Sequence, residues 1–314
     1  MLTFDSVEAV PADFGPSAVT IGKFDGVHAG HRAVLARLEE LAAPLGLTAT
    51  VLTFDRNPLS VLNPAECPAP LVSNAQKLDL LAEAGVSATL VVEFDRAFSQ
   101  RPPEDFVTRI LVGALHARIV LVGRDFRFGV RGSGNVDLLR TLGAEHGFEV
   151  VVMDDVSAAG ERRVSSTWVR ELLSEGDVIG AAGLLGTLPT IRSTVAHGLQ
   201  RGRTLGYPTA NFAPAIEGFV PADGVYAAWL TVDGTRYPAA VSIGNNPTFE
   251  GVPEKQVEAH AIDQIGLELY DQTAELAFVE YIRGMRKFSG PEALAEQMGA
   301  DELRIREVLG VPRP

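Results

Sequence analysis

The stretch Ala18-Val19-Thr20-Ile21-Gly22-Lys23-Phe24-Asp25-Gly26-Val27-His28-Ala29-Gly30-His31 runs from an apolar segment, through a glycine-bearing loop, into the start of a helical pattern. Continuous apolar runs of this kind belong to strands buried on both faces, hence to a parallel sheet covered by helices. The pattern recurs downstream. Strands are expected at 18–24, 48–54, 88–94, 118–123 and 148–154, with helices at 30–43, 74–84, 103–115 and 136–146. This βαβαβαβαβ order implies an α/β fold with a doubly wound parallel sheet, whose ligand site lies at the C-terminal ends of the strands. The quoted loop occupies one of those ends. Its two histidines, three residues apart at a helix N-terminus, face one side, where free N–H groups and the helix dipole favour anions. Phosphate is therefore the expected ligand of His28 and His31. A zinc pair is the rival reading, although no cysteine or third histidine lies close in sequence.

The second half changes period. Two short helices are expected at 166–173 and 177–184, followed by a domain boundary near 185–188. The segments 225–232, 237–243, 256–262 and 275–281 alternate polar and apolar residues, and Asp233-Gly234 between the first two is a strong hairpin signal. An amphipathic helix at 291–309, opened by Ser289-Gly290-Pro291, closes the chain. The organisation read from this is a doubly wound module over 1–186 and, over 187–314, a small antiparallel β-barrel carrying a terminal helix.

Composition narrows the function. A chain of 314 residues with 46% hydrophobic and 21% charged residues has the make-up of an ordinary globular protein of two domains. A net charge of −13 speaks against a general nucleic-acid or anionic-membrane binder, so any anionic ligand must be held by local groups. The single cysteine, Cys67, cannot form an internal disulfide, and no apolar run of membrane-spanning length occurs. These features set the expectation of a cytoplasmic protein. Neither a Walker A sequence nor GxGxxG is present. Gly129 to Gly134 is glycine-rich but differently spaced, and with Arg127 and Arg131 nearby reads as a mobile loop or a lid over phosphates.

A second anion-binding pattern lies at 198–212, GLQRGRTLGYPTANF. Arg201 and Arg203 bracket Gly202, and Thr209 and Asn211, two apart, project to one side of an extended segment. Arginines suit phosphate oxygens, while a hydroxyl and an amide carbonyl are hard ligands suited to Mg²⁺. Spacing alone does not separate this from an exposed basic turn.

Taken together, the motifs carry a family resemblance. GKFDGVHAGH resembles the HxGH signature of nucleotidyltransferases. With Val122-Gly123-Arg124-Asp125-Phe126-Arg127-Phe128-Gly129 and Arg163-Val164-Ser165-Ser166-Thr167, it is similar to the FMN adenylyltransferase module in particular. The 198–212 stretch resembles the riboflavin kinase motif, supported by 221–227, Ser242-Ile243-Gly244-Asn245-Asn246-Pro247-Thr248-Phe249 and Val257-Glu258-Ala259-His260. The module order is that of the bacterial bifunctional riboflavin kinase/FMN adenylyltransferase family, also called FAD synthetases.

The resemblance implies that riboflavin and ATP become FMN and ADP, and that FMN and a second ATP become FAD and pyrophosphate. It makes His28 and His31 catalytic phosphate contacts, joined on the ATP side by Gly22, Lys23, Asp25, Gly30, Arg163, Ser166 and Thr167. In the kinase module it gives Arg201, Gly202 and Arg203 to the phosphate loop, Thr209 and Asn211 to Mg²⁺ and ATP, and Glu258 to the role of general base. Flavin contacts are expected from Asn57, Asp125 and Phe126 in the first module and from Arg283, Met285 and Phe288 in the second. Three positions depart from the family pattern: Asn57 stands where a histidine is common, Trp168 where arginine is common, and Asp271 where glycine is usual. A nucleotidyltransferase with another acceptor, or a flavin-binding regulator without turnover, are the competing readings.

Overall fold

The computed structural model describes residues 1–154, 162–196, 209–244, 255–264 and 267–312. It divides into two compact units, Met1–Ser165 and Ser166–Pro314.

The first unit is a six-stranded parallel sheet. Strands β1 (Leu2–Phe4), β2 (Ser17–Ile21), β3 (Thr48–Phe54), β4 (Ala88–Val92), β5 (Ala117–Gly123) and β6 (Glu149–Met153) lie in the order β1-β4-β3-β2-β5-β6. Strand β2 is central because the chain builds outward through β3 and β4 on one side, then returns to place β5 on the other. The order therefore reverses at β2, and the crevice beyond its C-terminal end is where doubly wound sheets bind ligands. The five expected strands are present within a few residues of their expected ends. The edge strand β1 was not anticipated, since three residues cannot display a period.

Helices α1 (Ala29–Ala42), α2 (Leu59–Leu62), α3 (Asn74–Glu83), α4 (Pro103–Phe106) and α5 (Val136–His146) connect and cover the sheet. Each long one has a recognisable start: Ser73 and Gln76 form a reciprocal capping box at α3, and Asn135 caps α5 through Leu138 N–H at 2.9 Å. The helix expected at 103–115 is α-helical only in α4 and continues as a π-helix over Val107–Ala114. The wider turn keeps Val107, Ile110, Leu111 and Leu115 on the sheet together, all buried. The glycine-rich segment after β5 is a closed turn: Phe128 and Gly134 exchange two backbone hydrogen bonds of 3.2 and 2.9 Å, and Val130 N–H donates to Arg101 at 2.8 Å. Its glycines thus serve a compact turn.

The second unit opens with α6 (Ser166–Glu175) and α7 (Val178–Leu185), then forms a closed barrel. Its strands β7 (Thr190–Ala196), β8 (Ala210–Phe212), β9 (Gly224–Val232), β10 (Thr235–Gly244), β11 (Gln256–Ala261) and β12 (Thr273–Arg283) close in the order β10-β11-β8-β7-β12-β9. Asp233 and Gly234, at φ 48° and 72°, make the tight turn between β9 and β10 that their sequence predicts. Along β9, Tyr226, Ala228, Leu230 and Val232 alternate into the core, while Val225 and Ala227 are buried on the other face. That outer cluster also contains Ile262 and Ile305, the latter from the terminal helix α8 (Pro291–Leu309). Arg306 of α8 is 2% exposed and bonds Asp263, Glu302 and the Pro312 carbonyl. Its guanidinium is held charged by those carboxylates, so the helix is tied to the end of β11. Within this unit, Ala222 N–H donates to the Leu173 carbonyl of α6 at 2.9 Å.

Candidate active sites

The loop after β2 is compact and strained. Phe24, Gly26 and Val27 take positive φ of 50°, 80° and 39° within five residues. A β-branched residue there is an outlier, and such strain persists only where packing over-determines it. The packing is present: Phe24 and Val27, 2% and 0% exposed, join Leu35, Val51, Leu81 and Val86 in one core cluster. Side-chain bonds fasten the rest. Asp25 Oδ1 accepts Leu71 N–H at 2.8 Å, and Thr53 Oγ1 donates to the Lys23 carbonyl at 3.2 Å.

His28 is the N-cap of α1, and its Nδ1 accepts the backbone N–H of His31 at 3.4 Å. An Nδ1 that accepts is unprotonated, so the neutral ring carries its proton on Nε2. The rings of His28 and His31 stack at 3.7 Å with 15° between planes, and Phe24 lies 4.9 Å from His31. Burial, with the Arg163 charge second, lowers the His28 pKa to about 4. Burial, then the charges of His28, Lys23 and Arg163, lower that of His31 well below its ordinary value. Both rings are neutral near pH 7. His31 Nδ1 is buried with no hydrogen-bond partner among the described residues. Gly30 must be small: a Cβ there would stand 3.2 Å from two atoms of the His28 ring.

Other residues singled out in this unit have local partners. Arg163 pairs with Asp125 at 3.3 Å, both half or more exposed. Phe126 stacks on Phe128 at 5.4 Å with 16° between planes. Asn57 Oδ1 accepts Leu59 N–H at 3.1 Å, so the residue in the histidine-like position bonds the backbone where α2 begins. Gly22 adjoins the Phe24 ring.

In the second unit β-pairing brings the candidates together. Glu258 on β11 is the cross-strand partner of Asn211 on β8 and of Ser242 on β10. Asn211, Glu258 and Ser242 thus form a row on one face of the sheet, all half-buried, with the flanking Ala210, Phe212, Val257, Ala259, Val241 and Ile243 directed into the core. Thr209 Oγ1 donates to Glu258 Oε2 at 3.5 Å, and Asn211 Nδ2 to the Thr209 carbonyl at 3.4 Å. The Ser242 hydroxyl donates to Met285 Sδ at 3.9 Å, which lays the 284–290 segment beside the row. Arg283 forks onto Asp301 of α8 with bonds of 2.7 to 3.1 Å, and Phe288 lies under both Arg283 and Arg286 at 5.6 and 4.7 Å. His260, two residues beyond Glu258, is 9% exposed. Asp271 adopts φ 60°, the conformation that makes glycine usual there, and aspartate tolerates it.

Arg201, Gly202 and Arg203, and with them most of the 198–212 stretch, lie outside the described residues, as do 245–254. Ser166 and Thr167 open α6, with Trp168 half-buried behind them. Sequence reasoning overlooked Lys77, buried on α3 at 6% exposure, and Asp301, and gave Ser242 no role beyond its place in a supporting motif. The signal for Lys77 was its place one turn before Leu81 on the apolar face of α3. That Ser242 stands beside Glu258 is visible only once the β10–β11 register is known.

Two family models match the chain: FAD synthetase over residues 10–168 and riboflavin kinase over residues 185–309. Proteins named bifunctional riboflavin kinase/FMN adenylyltransferase are 37% identical in Escherichia coli K12 and in Listeria monocytogenes. These alignments cover 94% of both chains and 92% and 91% of this chain and the relative, respectively. The counterpart from Pseudomonas fluorescens is 38% identical over 91% of each. A crystal structure described as a macrolide-efflux protein from Streptococcus pneumoniae matches with a TM-score of 0.85 and 28% identity over 97% of this chain and 98% of that one. Among the described residues of this chain, no helix is long and apolar enough to cross a membrane. Matched by both family models and by relatives aligned over nearly their whole length, the chain belongs to the bifunctional riboflavin kinase/FMN adenylyltransferase family, enzymes that phosphorylate riboflavin to FMN and adenylylate FMN to FAD.

Proposed function

We propose that the two reactions run at separate sites: adenylyl transfer at the loop after β2, within residues 1–186, and riboflavin phosphorylation on the β8–β11–β10 row, within 187–314. The observation that carries this reading is the placement of Glu258, with Thr209 Oγ1 3.5 Å from its carboxylate and Asn211 directly across the strand pair.

Glu258 takes the proton of the ribityl 5′-hydroxyl as that oxygen bonds to the γ-phosphorus of ATP, and ADP leaves. A primary alcohol is a poor nucleophile at neutral pH, and a carboxylate in hydrogen-bond reach removes that barrier. Thr209 and Asn211 supply a hydroxyl and an amide oxygen next to a carboxylate, a hard-oxygen set that fits Mg²⁺. Bound there, the ion would offset the charge of the phosphates. Arg201, Gly202 and Arg203 complete the phosphate loop. Met285, Phe288 and Arg283 cover the flavin from the segment after β12.

At the other site the FMN phosphate attacks the α-phosphorus of ATP in line and pyrophosphate leaves, with no covalent enzyme intermediate. Positioning and charge stabilisation are the protein's contribution. The tautomer of His28 supports its part: with Nδ1 engaged by the helix cap, Nε2–H is available to donate to phosphate. His31 donates beside it, and Gly22, Lys23, Asp25 and Gly30 shape the loop around the nucleotide. The guanidinium of Arg163 serves the triphosphate; Ser166 and Thr167 carry that role by the family resemblance. Asp125, Phe126 and Asn57 face the flavin.

Incubation with ATP and Mg²⁺, once from riboflavin and once from FMN, followed by chromatographic separation of the flavins, tests the scheme. FMN and then FAD are expected from riboflavin, and FAD with pyrophosphate from FMN. Failure to form FMN from riboflavin overturns the kinase assignment, and failure to form FAD from FMN overturns the other. Adding a chelator should stop FMN formation; full activity without a divalent cation would remove Thr209 and Asn211 as metal ligands.

A further inference from the structure

Lys77 is a cation in a position that the helical pattern reserves for an apolar residue. It lies on α3, 6% exposed, one turn before Leu81, and Leu81 packs in the same cluster as Phe24 and Val27 of the strained loop. Its Nζ donates to the Phe54 carbonyl, the last residue of β3, at 2.6 Å. The charged groups that act on it through space are the carboxylates of Asp25, in the loop after β2, and Asp55, directly after β3, the latter itself paired with the Arg56 guanidinium at 2.6 Å. Each carboxylate in turn holds backbone from another element: Asp25 accepts Leu71 N–H and Asp55 accepts Phe94 N–H, both at 2.8 Å. Asn74 of the same helix donates to the Asp55 carbonyl. An ammonium is withdrawn from water only where such partners offset the desolvation.

We infer that Lys77 is a positioning residue for adenylyl transfer: its ammonium fixes the end of β3 through the Phe54 carbonyl, and the adjoining Thr53, bonded to the Lys23 carbonyl, carries that hold to the loop that presents His28 and His31. Lys77 touches neither histidine. It acts through the strand ends, where small displacements of phosphate-binding groups lower the rate steeply. The inference rests on the assignment of adenylyl transfer to this loop.

The full-length enzyme supplies its own control, because riboflavin phosphorylation in the same chain reports the other module. Lys77→Met, of similar length but uncharged, should lower kcat for FMN to FAD on the order of tenfold to a hundredfold, leave KM for ATP within about twofold, and leave FMN formation unchanged. Burial lowers the Lys77 pKa to about 8, with Asp25 and Asp55 opposing the shift. The wild-type adenylyl-transfer rate should therefore decline as pH rises through that value. Lys77→Arg, which stays charged, should keep most of the activity and lose this decline. Lys77→Met with unchanged FAD formation, or Lys77→Arg with the wild-type decline intact, overturns the inference. The two variants also separate positioning from misfolding, since a merely space-filling Lys77 gives no alkaline decline for Lys77→Arg to remove. If His28→Ala with His31→Ala leaves FAD formation intact, the site assignment itself falls; if that variant is inactive and the Lys77 variants are normal, only this inference does.

Discussion

The loop after β2 and the row on the barrel, both proposed to take phosphate groups, are built by different means. In the loop, backbone in the left-handed region is buried with its side chains, and two imidazoles are stripped of charge by that burial. In the row, Asn211, Glu258 and Ser242 sit half-exposed at successive strands and owe their alignment to β-register alone. The difference matches the chemistry each site is assigned. Adenylyl transfer between two phosphate groups asks for neutral donors fixed in place, and an interior loop fixes them. A kinase must deprotonate an alcohol, and a carboxylate is a side chain that can take that proton. A buried loop is also sensitive to distant packing, whereas a row on a closed barrel depends mainly on its own side chains.

The sharpest way to break this contrast is at its centres. Glu258→Ala should lower FMN formation from riboflavin by about a thousandfold, within the range general bases contribute, while supplied FMN is still converted to FAD. His28→Ala with His31→Ala should do the reverse, with a loss on the order of a hundredfold or more in FAD formation. Loss of both activities in either variant, with circular dichroism unchanged, would mean that the sites are not independent.

Smaller changes probe the packing side of the comparison. Gly30→Ala places a methyl group 3.2 Å from the His28 ring, and should reduce FAD formation by about tenfold through ring displacement, with FMN formation untouched. A wild-type rate would show that the ring position is not critical. In the barrel unit, Asp301→Ala leaves the Arg283 fork without its partner. The pair is 20% and 7% exposed, so a loss of about 2 kcal/mol is expected, below that of a fully buried pair. Thermal unfolding of the kinase module measures it.

A further expected effect concerns pH. The folded-state pKa of His28, about 4, lies below its unfolded value of 6.5. Between those values the unfolded chain binds more protons, so stability is full above about pH 6.5 and is lost as pH falls toward 4. His28→Asn should flatten that part of the stability profile. An unchanged profile would mean that the ring is not buried neutral.

Much of this was legible in the residues. The apolar runs located five strands of the sheet, and 136–146 and 291–309 matched their helices end to end because each had a clear cap or an opening Gly-Pro. The strand β7 carried a signal that went unread: Ile191, Ser193 and Val195 alternate inward. The π-helical turn at Val107–Ala114 left none, since an apolar helix of either width shows nearly the same spacing. The local bond of Asn57 Oδ1 to Leu59 N–H left no sign in the sequence, since it depends on how the chain turns into α2.

Sequence by itself determined what depends on neighbours along the chain: strand and helix periods, the Asp233-Gly234 turn, the small residue between the two histidines, and the motifs that identify both modules. Tertiary structure alone decided what depends on residues distant in sequence meeting. The reversal of strand order at β2 put the histidine loop at the crevice, β-register set Ser242 beside Glu258, and burial made both imidazoles neutral and enclosed Lys77 between strand ends. Periodicity records only which way a side chain faces; charge state and alignment across strands follow from what the fold packs against it.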